Sequence, residues 1–247
     1  MPLLLSRLDL DQVTADPEFI EHGLHLVQEA LIGPADPVGG ADWPVRLDTD
    51  HPRAGVALVA PDDGALLAIL AADALAVWRT ALPAGLVARY LAPAGAGVLG
   101  VRGTGPSAQA LVRTLTRALP SLAEIVVDGG PDFAAACGRH TRLPVRHRRA
   151  EEVDRLADVL VATGPAGTAT ARAGALVLGE KPMGPRTPMP WDLALDAVLT
   201  GGAVPRPDAH AVVLGGSGRA GGWERAVYAW ALRRAWELDL GRTFTLD

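Results

Sequence analysis

The stretch VLGVRGTGPSAQA, residues 98–110, carries the clearest signal of the fold class. An apolar run ends at Gly103 and Gly105, and a helix-like pattern follows, with Ala108 at the third small position. In such a strand–turn–helix unit the first glycine permits the tight turn and the second lets a pyrophosphate approach the backbone. The small third residue lets the helix pack close to the strand, and the helix N-terminus attracts phosphate. The predicted cofactor-binding residues of this turn are Gly103, Thr104, Gly105, Pro106 and Ser107.

An acidic residue stands at the end of the next predicted strand, in EIVVDGG at residues 124–130. Asp128 follows Gly103 by 25 residues, close to the spacing of about 20 at which an acid binds the ribose hydroxyls in such units. An acid there favours NAD(H) over NADP(H), because it repels a 2′-phosphate. Gly129 is assigned to the same site. The alternative is a turn that binds no phosphate, in which Asp128 only caps the chain.

The segments that follow alternate between strand and helix patterns. Predicted strands lie at 98–103, 124–130, 143–147, 158–165, 174–180 and 210–216. Predicted helices lie at 106–119, 132–140, 150–157, 191–202 and 222–241. This alternation predicts an α/β protein with a parallel sheet that is covered by helices on both faces.

The first part of the chain carries a different pattern. Residues 16–33 show helical spacing of apolar residues, and a short strand is expected at 45–47. Two apolar runs flank the turn PDDG and predict a hairpin over 55–70. Helical periodicity then covers 72–91, with Pro83 inside it as an expected break or kink.

Composition restricts the classes of partner. The 247 residues include 49% hydrophobic residues and carry a net charge of −5, with acids and bases interspersed. That balance argues for a globular chain and against a broad nucleic-acid surface or a basic membrane patch. With one cysteine, Cys137, no disulfide framework can form within the chain. No secretory signal or membrane span is recognisable, so a cytoplasmic location is expected. Cys137 is predicted to be a packing residue.

The run from residue 75 to residue 110, LAVWRTALPAGLVARYLAPAGAGVLGVRGTGPSAQA, resembles the ornithine cyclodeaminase/mu-crystallin family. In that family a helix of the type RTAA…A.KYLA leads into a glycine loop of the GTG type. The matching residues are Arg79, Thr80, Ala81, Ala88, Tyr90, Leu91, Ala92, Gly103, Thr104 and Gly105. Residues 157–165 and 241–247 resemble later family segments, so the similarity covers roughly 55–247.

The resemblance implies a Rossmann-type, doubly wound parallel sheet with a second, smaller, mixed α+β domain. That second domain is built from both chain ends, forms the homodimer contact and receives the substrate. The expected boundaries are 1–93 with 206–247 for the substrate and dimerisation domain, and 94–205 for the dinucleotide-binding domain. The shared chemistry of the family is hydride transfer between a nicotinamide and the carbon that bears an amino acid's nitrogen.

Individual residues carry family roles by position. Arg79 matches an arginine that binds the substrate carboxylate, although a salt bridge at a helix end is an equal alternative. Thr80 matches a threonine near the cofactor phosphates, and Arg46 loosely matches a second carboxylate-binding arginine. Thr163 and Gly164 lie near the end of the segment that resembles the family's strand before the nicotinamide.

Two family groups are not recognisable in this chain. The lysine of a GVK strand is missing, and Gly215 and Gly216 stand where the family has an aspartate that handles the substrate amine. Lys181 is the single lysine, against 22 arginines, and it lies in a loop. His51 is the preferred candidate for a proton donor, because its loop falls in the expected substrate domain. A solvated loop position remains the alternative for both residues.

Three functions are compatible with these features. The first is an NAD(P)H-dependent reductase of an imine, ketimine or similarly activated double bond in an amino-acid-like or peptide substrate of a specialised biosynthetic pathway. The second is an NAD-dependent cyclodeaminase or amino-acid dehydrogenase with relocated catalytic groups. The third is a non-catalytic NAD-binding protein that acts with a partner protein. No metal is expected, since His22 and His25 share a helical spacing but lack an obvious third ligand.

Overall fold

The structure, a computed structural model, describes residues 1–32, 46–48, 55–60, 62–162, 171–179, 192–204, 210, 213–216 and 223–245. The chain forms two compact units. Unit 1 comprises Met1–Arg79 and Ala220–Asp247, and unit 2 comprises Thr80–Arg219. These divisions differ from the expected boundaries after residues 93 and 205. The first division falls inside a helix whose initial residue, Trp78, packs edge-on against Phe19 of unit 1.

Unit 2 contains a parallel sheet of seven strands. Its strands are β5 (Val98–Arg102), β6 (Glu124–Val127), β7 (Val145–His147), β8 (Val159–Ala162), β9 (Leu176–Gly179), β10 (Asp192–Ala194) and β11 (Val213–Gly216). The spatial order is β10-β11-β9-β8-β5-β6-β7, and every pair in it is parallel. The order reverses at β5, which lies between β6 and β8. The predicted Rossmann-type α/β fold is therefore confirmed, with β5 at its topological switch point.

Helices precede or connect several of these strands. They are α4 (Trp78–Leu91), which begins in unit 1, α5 (Pro106–Ala118), α6 (Pro131–Gly138), α7 (Ala150–Leu156) and α8 (Leu195–Leu199). Helix α5 buries an apolar face that includes Ala108, Leu111 and Leu115. Helix α7 lies so close to β5 that a Cβ on Gly100 would come within 2.6 Å of the Ala157 Cβ. A glycine in mid-strand therefore permits the close approach of helix and sheet.

Unit 1 carries a five-stranded mixed sheet. Its strands are β1 (Leu3–Leu5), β2 (Arg46–Asp48), β3 (Val56–Val59), β4 (Leu66–Leu70) and β12 (Arg242–Thr243), in the order β12-β1-β4-β3-β2. The predicted hairpin is present as the antiparallel pair β3–β4, and β2 adds antiparallel to β3. Strand β1 joins β4 in parallel and β12 in antiparallel, so both chain ends contribute to one sheet.

Four further helices belong to unit 1: α1 (Arg7–Ala15), α2 (Pro17–Ile32), α3 (Ala72–Ala76) and α9 (Trp223–Glu237). Phe19 of α2 is fully buried, and its ring lies 4.9 Å from that of Trp78 and 5.3 Å from that of Trp230. Helix α9 packs against α1 and α2. Arg234 of α9 binds Asp16, at the junction of these two helices, with a 2.6 Å ion pair.

Three details differ from the sequence predictions. Helix α4 continues through the buried Pro83, and the interruption falls instead at Val77, between α3 and α4. Burial of the flanking helix face outweighs the one backbone hydrogen bond that a proline removes. The segment predicted as a helix over 191–202 begins as strand β10, because that stretch pairs with β11. Helix α1 was not predicted, although Ser6 and Asp9 form the capping box that marks its start.

Candidate functional site

The turn between β5 and α5 has the geometry of a phosphate-binding loop. Gly103 and Gly105 adopt φ values of 102° and 90°, a region that glycine enters without steric cost. Gly105 is the N-cap of α5, and Pro106 takes the first helical position, where a missing N–H costs nothing. A Cβ on Gly105 would meet no heavy atom within 4 Å, so space for a ligand is open beside the turn.

Backbone donors border this open space. The Gln109 N–H donates to the Gly105 carbonyl at 3.1 Å. The N–H groups of Ser107 and Ala108 precede that first intrahelical bond, and they belong to the set that a helix N-terminus offers to an anion. Ala108 is fully buried, as the close packing of α5 on the sheet requires. The residues present therefore fit a dinucleotide pyrophosphate.

The turn between β6 and α6 has the same pair of residues, a glycine N-cap with positive φ followed by a proline. Gly130 has a φ of 89° and caps α6, and Pro131 occupies the first position of that helix. A Cβ on Gly129 would clash with the Thr104 methyl group and would lie 2.8 Å from Cδ1 of Phe133. The absence of a side chain at Gly129 thus brings the second turn against the first. The sequence analysis included Gly129 but missed Gly130 and Pro131, for which the repeated Gly-Pro pair is the available signal.

Asp128 lies at the carboxyl end of β6, beside the glycine loop. Its Oδ1 accepts a hydrogen bond from the Gly103 N–H at 2.8 Å, and its Oδ2 accepts one from Nε of Arg102, also at 2.8 Å. The side chain keeps 19% of its surface exposed. Asp128 is therefore fixed by two protein donors and still reachable from solvent, which fits a carboxylate that receives ribose hydroxyls.

Arg102 joins Asp128 to a second carboxylate that sequence reasoning did not identify. Nη1 of Arg102 donates to the two carboxylate oxygens of Asp154 in helix α7, at 2.9 and 2.8 Å. The side chains of Arg102 and Asp154 are 25% and 7% exposed. Burial acts to lower the pKa of the Arg102 guanidinium, but the hydrogen bonds and charges of Asp154 and Asp128 outweigh burial and raise it. Arg102 is thus a permanent cation between two carboxylates.

Arg79, the predicted ligand of a substrate carboxylate, is paired within unit 1. Its Nε lies 3.4 Å from Oε1 of Glu224, in the first turn of α9, and 60% of the Arg79 side chain is exposed. Tyr228 follows Glu224 by one helical turn, and burial raises the pKa of its phenol. Glu224 is a further residue that the sequence analysis did not identify. The exposed face of Arg79 remains accessible to a carboxylate from solution.

Comparison with known proteins identifies the family. The model of the ornithine cyclodeaminase/mu-crystallin family matches residues 48–180, which is more than half of the chain. The chain belongs to this family. The resemblance noted in the sequence is therefore confirmed. A search of curated proteins found no significant match.

Solved structures share the fold over almost the whole chain. A Δ1-pyrroline-2-carboxylate reductase from Thermococcus litoralis, in complex with NADH and L-proline, has a TM-score of 0.78 at 15% identity and covers 98% of this chain and 100% of its own. An archaeal alanine dehydrogenase dimer with bound NAD has a TM-score of 0.74 at 16% identity, with coverages of 100% and 99%. The iminosuccinate reductase of Paracoccus denitrificans, in complex with NAD+, has a TM-score of 0.71 at 17% identity and covers 99% of both chains. At these identities the likeness establishes the fold.

Several predicted site residues cannot be placed. His51, Lys181, Thr163 and Gly164 lie outside the described residues, and only the backbone of Arg46 is described, in strand β2 opposite Val59. Thr80 is an exposed residue of helix α4. The roles assigned to all six stay predictions.

The cysteine and the two histidines of α2 that the sequence singled out lie within the described residues. Cys137 is fully buried, and burial raises the pKa of its thiol to about 11, as suits a packing residue. The rings of His22 and His25 lie 6.5 Å apart, and His25 pairs with Glu29. Within the described ranges, no group of three potential metal ligands occurs. Among the helices that the structure describes, none combines the length and apolar character that a membrane crossing requires.

Proposed function

We propose that this protein is an NAD(H)-dependent reductase of a carbon–nitrogen double bond in an amino-acid-like or peptide substrate of a specialised biosynthetic pathway. The observation that carries the proposal is the glycine turn at the switch point of the parallel sheet. Gly103 and Gly105 adopt positive φ values there, Gly105 leaves open space, helix α5 offers its N-terminus, and Asp128 lies alongside. The imine reductases among the solved relatives support the choice of reaction.

The chain's own residues divide the binding task. The glycine turn and the first turn of α5 hold the pyrophosphate through backbone N–H groups. Asp128 accepts hydrogen bonds from the adenosine ribose and repels a 2′-phosphate, which favours NAD(H) over NADP(H). When bound, the nicotinamide supplies the hydride, so the protein's part is to bind, to orient and to exclude water.

Arg79 is proposed to bind the substrate carboxylate. A guanidinium presents a planar set of donors that matches a carboxylate, and Glu224 at 3.4 Å keeps the Arg79 group oriented. Protonation of the substrate nitrogen requires an acid, for which His51 and Lys181 are the candidates from the sequence. A homodimer and a cytoplasmic location belong to the same proposal.

Calorimetric titration with NADH, NADPH and their oxidised forms tests the cofactor. We expect NADH to bind at least about 10-fold more tightly than NADPH, as the repulsion between two anions implies. Absence of heat with all four coenzymes would rule out the proposed function.

Consumption of NADH with Δ1-pyrroline-2-carboxylate as a probe substrate tests the reaction. We expect NADH oxidation that depends on the added imine. Because Arg79→Lys keeps the charge but loses the planar donor pair, its KM for the imine should rise about 10- to 100-fold while its affinity for NADH is unchanged. Glu18→Gln, at an exposed position in the first turn of α2, serves as a surface control.

The same assays separate the two alternatives. Release of ammonia from ornithine, lysine or alanine in the presence of NAD would identify a cyclodeaminase or a dehydrogenase instead. NADH binding without turnover of any of these substrates would leave the non-catalytic NAD-binding protein.

A further inference from the structure

Arg102 occupies a position at which three strands end together. It is the last residue of β5, and it precedes Gly103 directly. Its neighbour Val101 pairs with Val127 of β6, while Arg102 itself pairs with Ala162 of β8. Arg102 therefore stands at the carboxyl edge of the sheet, where the strand order reverses and where ligands bind in folds of this kind.

The guanidinium of Arg102 is held at both ends. Nε donates to Oδ2 of Asp128 at 2.8 Å, and Nη1 lies within 2.9 Å of both carboxylate oxygens of Asp154. Asp154 is almost completely buried in helix α7. A planar guanidinium anchored in this way has little freedom to rotate, so it gives Asp128 a donor of fixed direction.

The hydrogen bonds of Asp128 show what that donor does. A carboxylate has two oxygens and about four acceptor sites. The Gly103 N–H takes one site on Oδ1, and Arg102 takes one site on Oδ2. Two donors on different oxygens define the plane of the carboxylate, whereas one donor alone would leave the broad terminal torsion of an aspartate free to turn. The unused acceptor sites of the Asp128 carboxylate therefore point in fixed directions.

We propose that Arg102 is a positioning residue that fixes the carboxylate plane of Asp128 so that it accepts the 2′-hydroxyl of the adenosine ribose. The inference rests on the proposed function, since it concerns how the same coenzyme is bound. Charge supports it. The Arg102 guanidinium pairs with the carboxylates of both Asp128 and Asp154, so the three groups together carry a net charge of −1. Without the guanidinium, the two negative charges would be uncompensated.

Binding of NADH and of its 2′-deoxyadenosine analogue, measured by calorimetry, tests this role. The wild type should bind NADH about 10-fold or more tightly than the 2′-deoxy analogue, because a hydrogen bond to a charged acceptor is lost. In Arg102→Met this preference should fall to nearly one, while the analogue binds almost as it does to the wild type. A residue that only stabilised the fold would leave the ratio of the two affinities unchanged.

Matched variants complete the experiment. Arg172→Met removes an arginine from an aspartate at the opposite edge of the same sheet and should keep the wild-type ratio. If Arg102→Met does not fold, Asp154→Asn replaces it, because it removes the charged anchor of Arg102, and the ratio should fall to an intermediate value. In Asp128→Asn, adding Arg102→Met should have no further effect on the ratio.

Each result decides between the two proposals. Undiminished preference for NADH in Arg102→Met and Asp154→Asn would overturn the positioning role and leave the proposed function standing. A wild type that binds both coenzymes equally would overturn the ribose contact itself. A wild type that binds no NADH would overturn the proposed function together with this inference.

Discussion

Two aspartates hold the opposite ends of strand β5 with the same kinds of partner. At the amino end, Oδ2 of Asp158 accepts the N–H groups of Gly97 and Val98 at 2.8 and 2.9 Å, and Oδ1 pairs with Arg172 at 2.6 Å. At the carboxyl end, Asp128 accepts the Gly103 N–H and pairs with Arg102. The chemistry of the two clusters is alike, and only one of them lies at the edge where this fold binds ligands.

Because the two clusters are chemically alike, their different roles follow from their positions at opposite ends of β5. At the amino edge, the carboxylate of Asp158 binds the backbone N–H groups at the start of β5. At the carboxyl edge, Asp128 lies beside the open glycine turn, and its side chain remains 19% exposed. Mutation of the two clusters should therefore separate stability from coenzyme affinity.

The largest expected effect is on stability at the amino edge. Asp158→Ala leaves two backbone N–H groups and one guanidinium without their acceptor, so we expect the free energy of unfolding to fall by about 2–4 kcal/mol. Urea denaturation measures the loss. Asp128→Ala should cost less stability, because Arg102 keeps Asp154, and it should weaken NADH binding instead. Equal stability losses with equal affinities would erase the distinction between the two edges.

Steric filling of the carboxyl edge should come next. Gly129→Ala places a methyl group against Thr104 and 2.8 Å from Phe133, so the two turns must separate. We expect a loss of stability of about 1–3 kcal/mol and about 10-fold weaker NADH binding, seen by thermal unfolding and calorimetry. Gly138→Ala is the control, since its Cβ would meet nothing within 4 Å in helix α6. Wild-type affinity in Gly129→Ala would argue against contact between the turns and the coenzyme.

Helix α5 contains a buried hydroxyl. It tests whether a buried polar group destabilises the fold when it has no hydrogen-bond partner. Thr114 Oγ1 is buried without a hydrogen-bond partner in the described part of the chain, unlike the satisfied carboxylates at both edges. Thr114→Val should therefore raise the free energy of unfolding by about 1 kcal/mol. In Thr116→Val no gain is expected, because Thr116 donates to the Val112 carbonyl at 2.9 Å. A destabilised Thr114→Val would contradict the view that the hydroxyl is unsatisfied.

The smallest effect concerns a basic group of unit 1 that contrasts with Arg102. Burial lowers the pKa of His22, and the charge of nearby His25 adds to the effect. A lowered folded-state pKa means that the unfolded chain binds the proton more readily. The contribution of His22 to stability is therefore present above about pH 6.5, its unfolded value, and is lost as the pH falls through the folded value.

Denaturation of wild type and His22→Gln between about pH 8 and pH 5 measures this term. As the pH falls over this range, the free energy of unfolding should decrease less in His22→Gln than in the wild type. Parallel pH profiles would show that His22 does not contribute.

Much of unit 2 was predictable because its signals are local. The Gly103–Gly105 spacing, the apolar runs and Asp128 at a strand end each lie within one short segment, and such periodicities report directly on strands and helices. Unit 1 was less predictable. Strand β1 and strand β12 are short and come from opposite chain ends, so neither has a signal of its own until the other pairs with it.

Local spacing and backbone preference are enough to specify the parallel α/β class, the glycine turn and the acid beside it. Folding brings Arg102 to Asp154, which is 52 residues further along the chain, and Arg79 to Glu224. It also decided the strand at Asp192–Ala194 and the helix break at Val77. The physical reason is that ion pairs, edge-strand pairing and helix burial depend on neighbours in space, and the order of strands in the sheet chooses those neighbours.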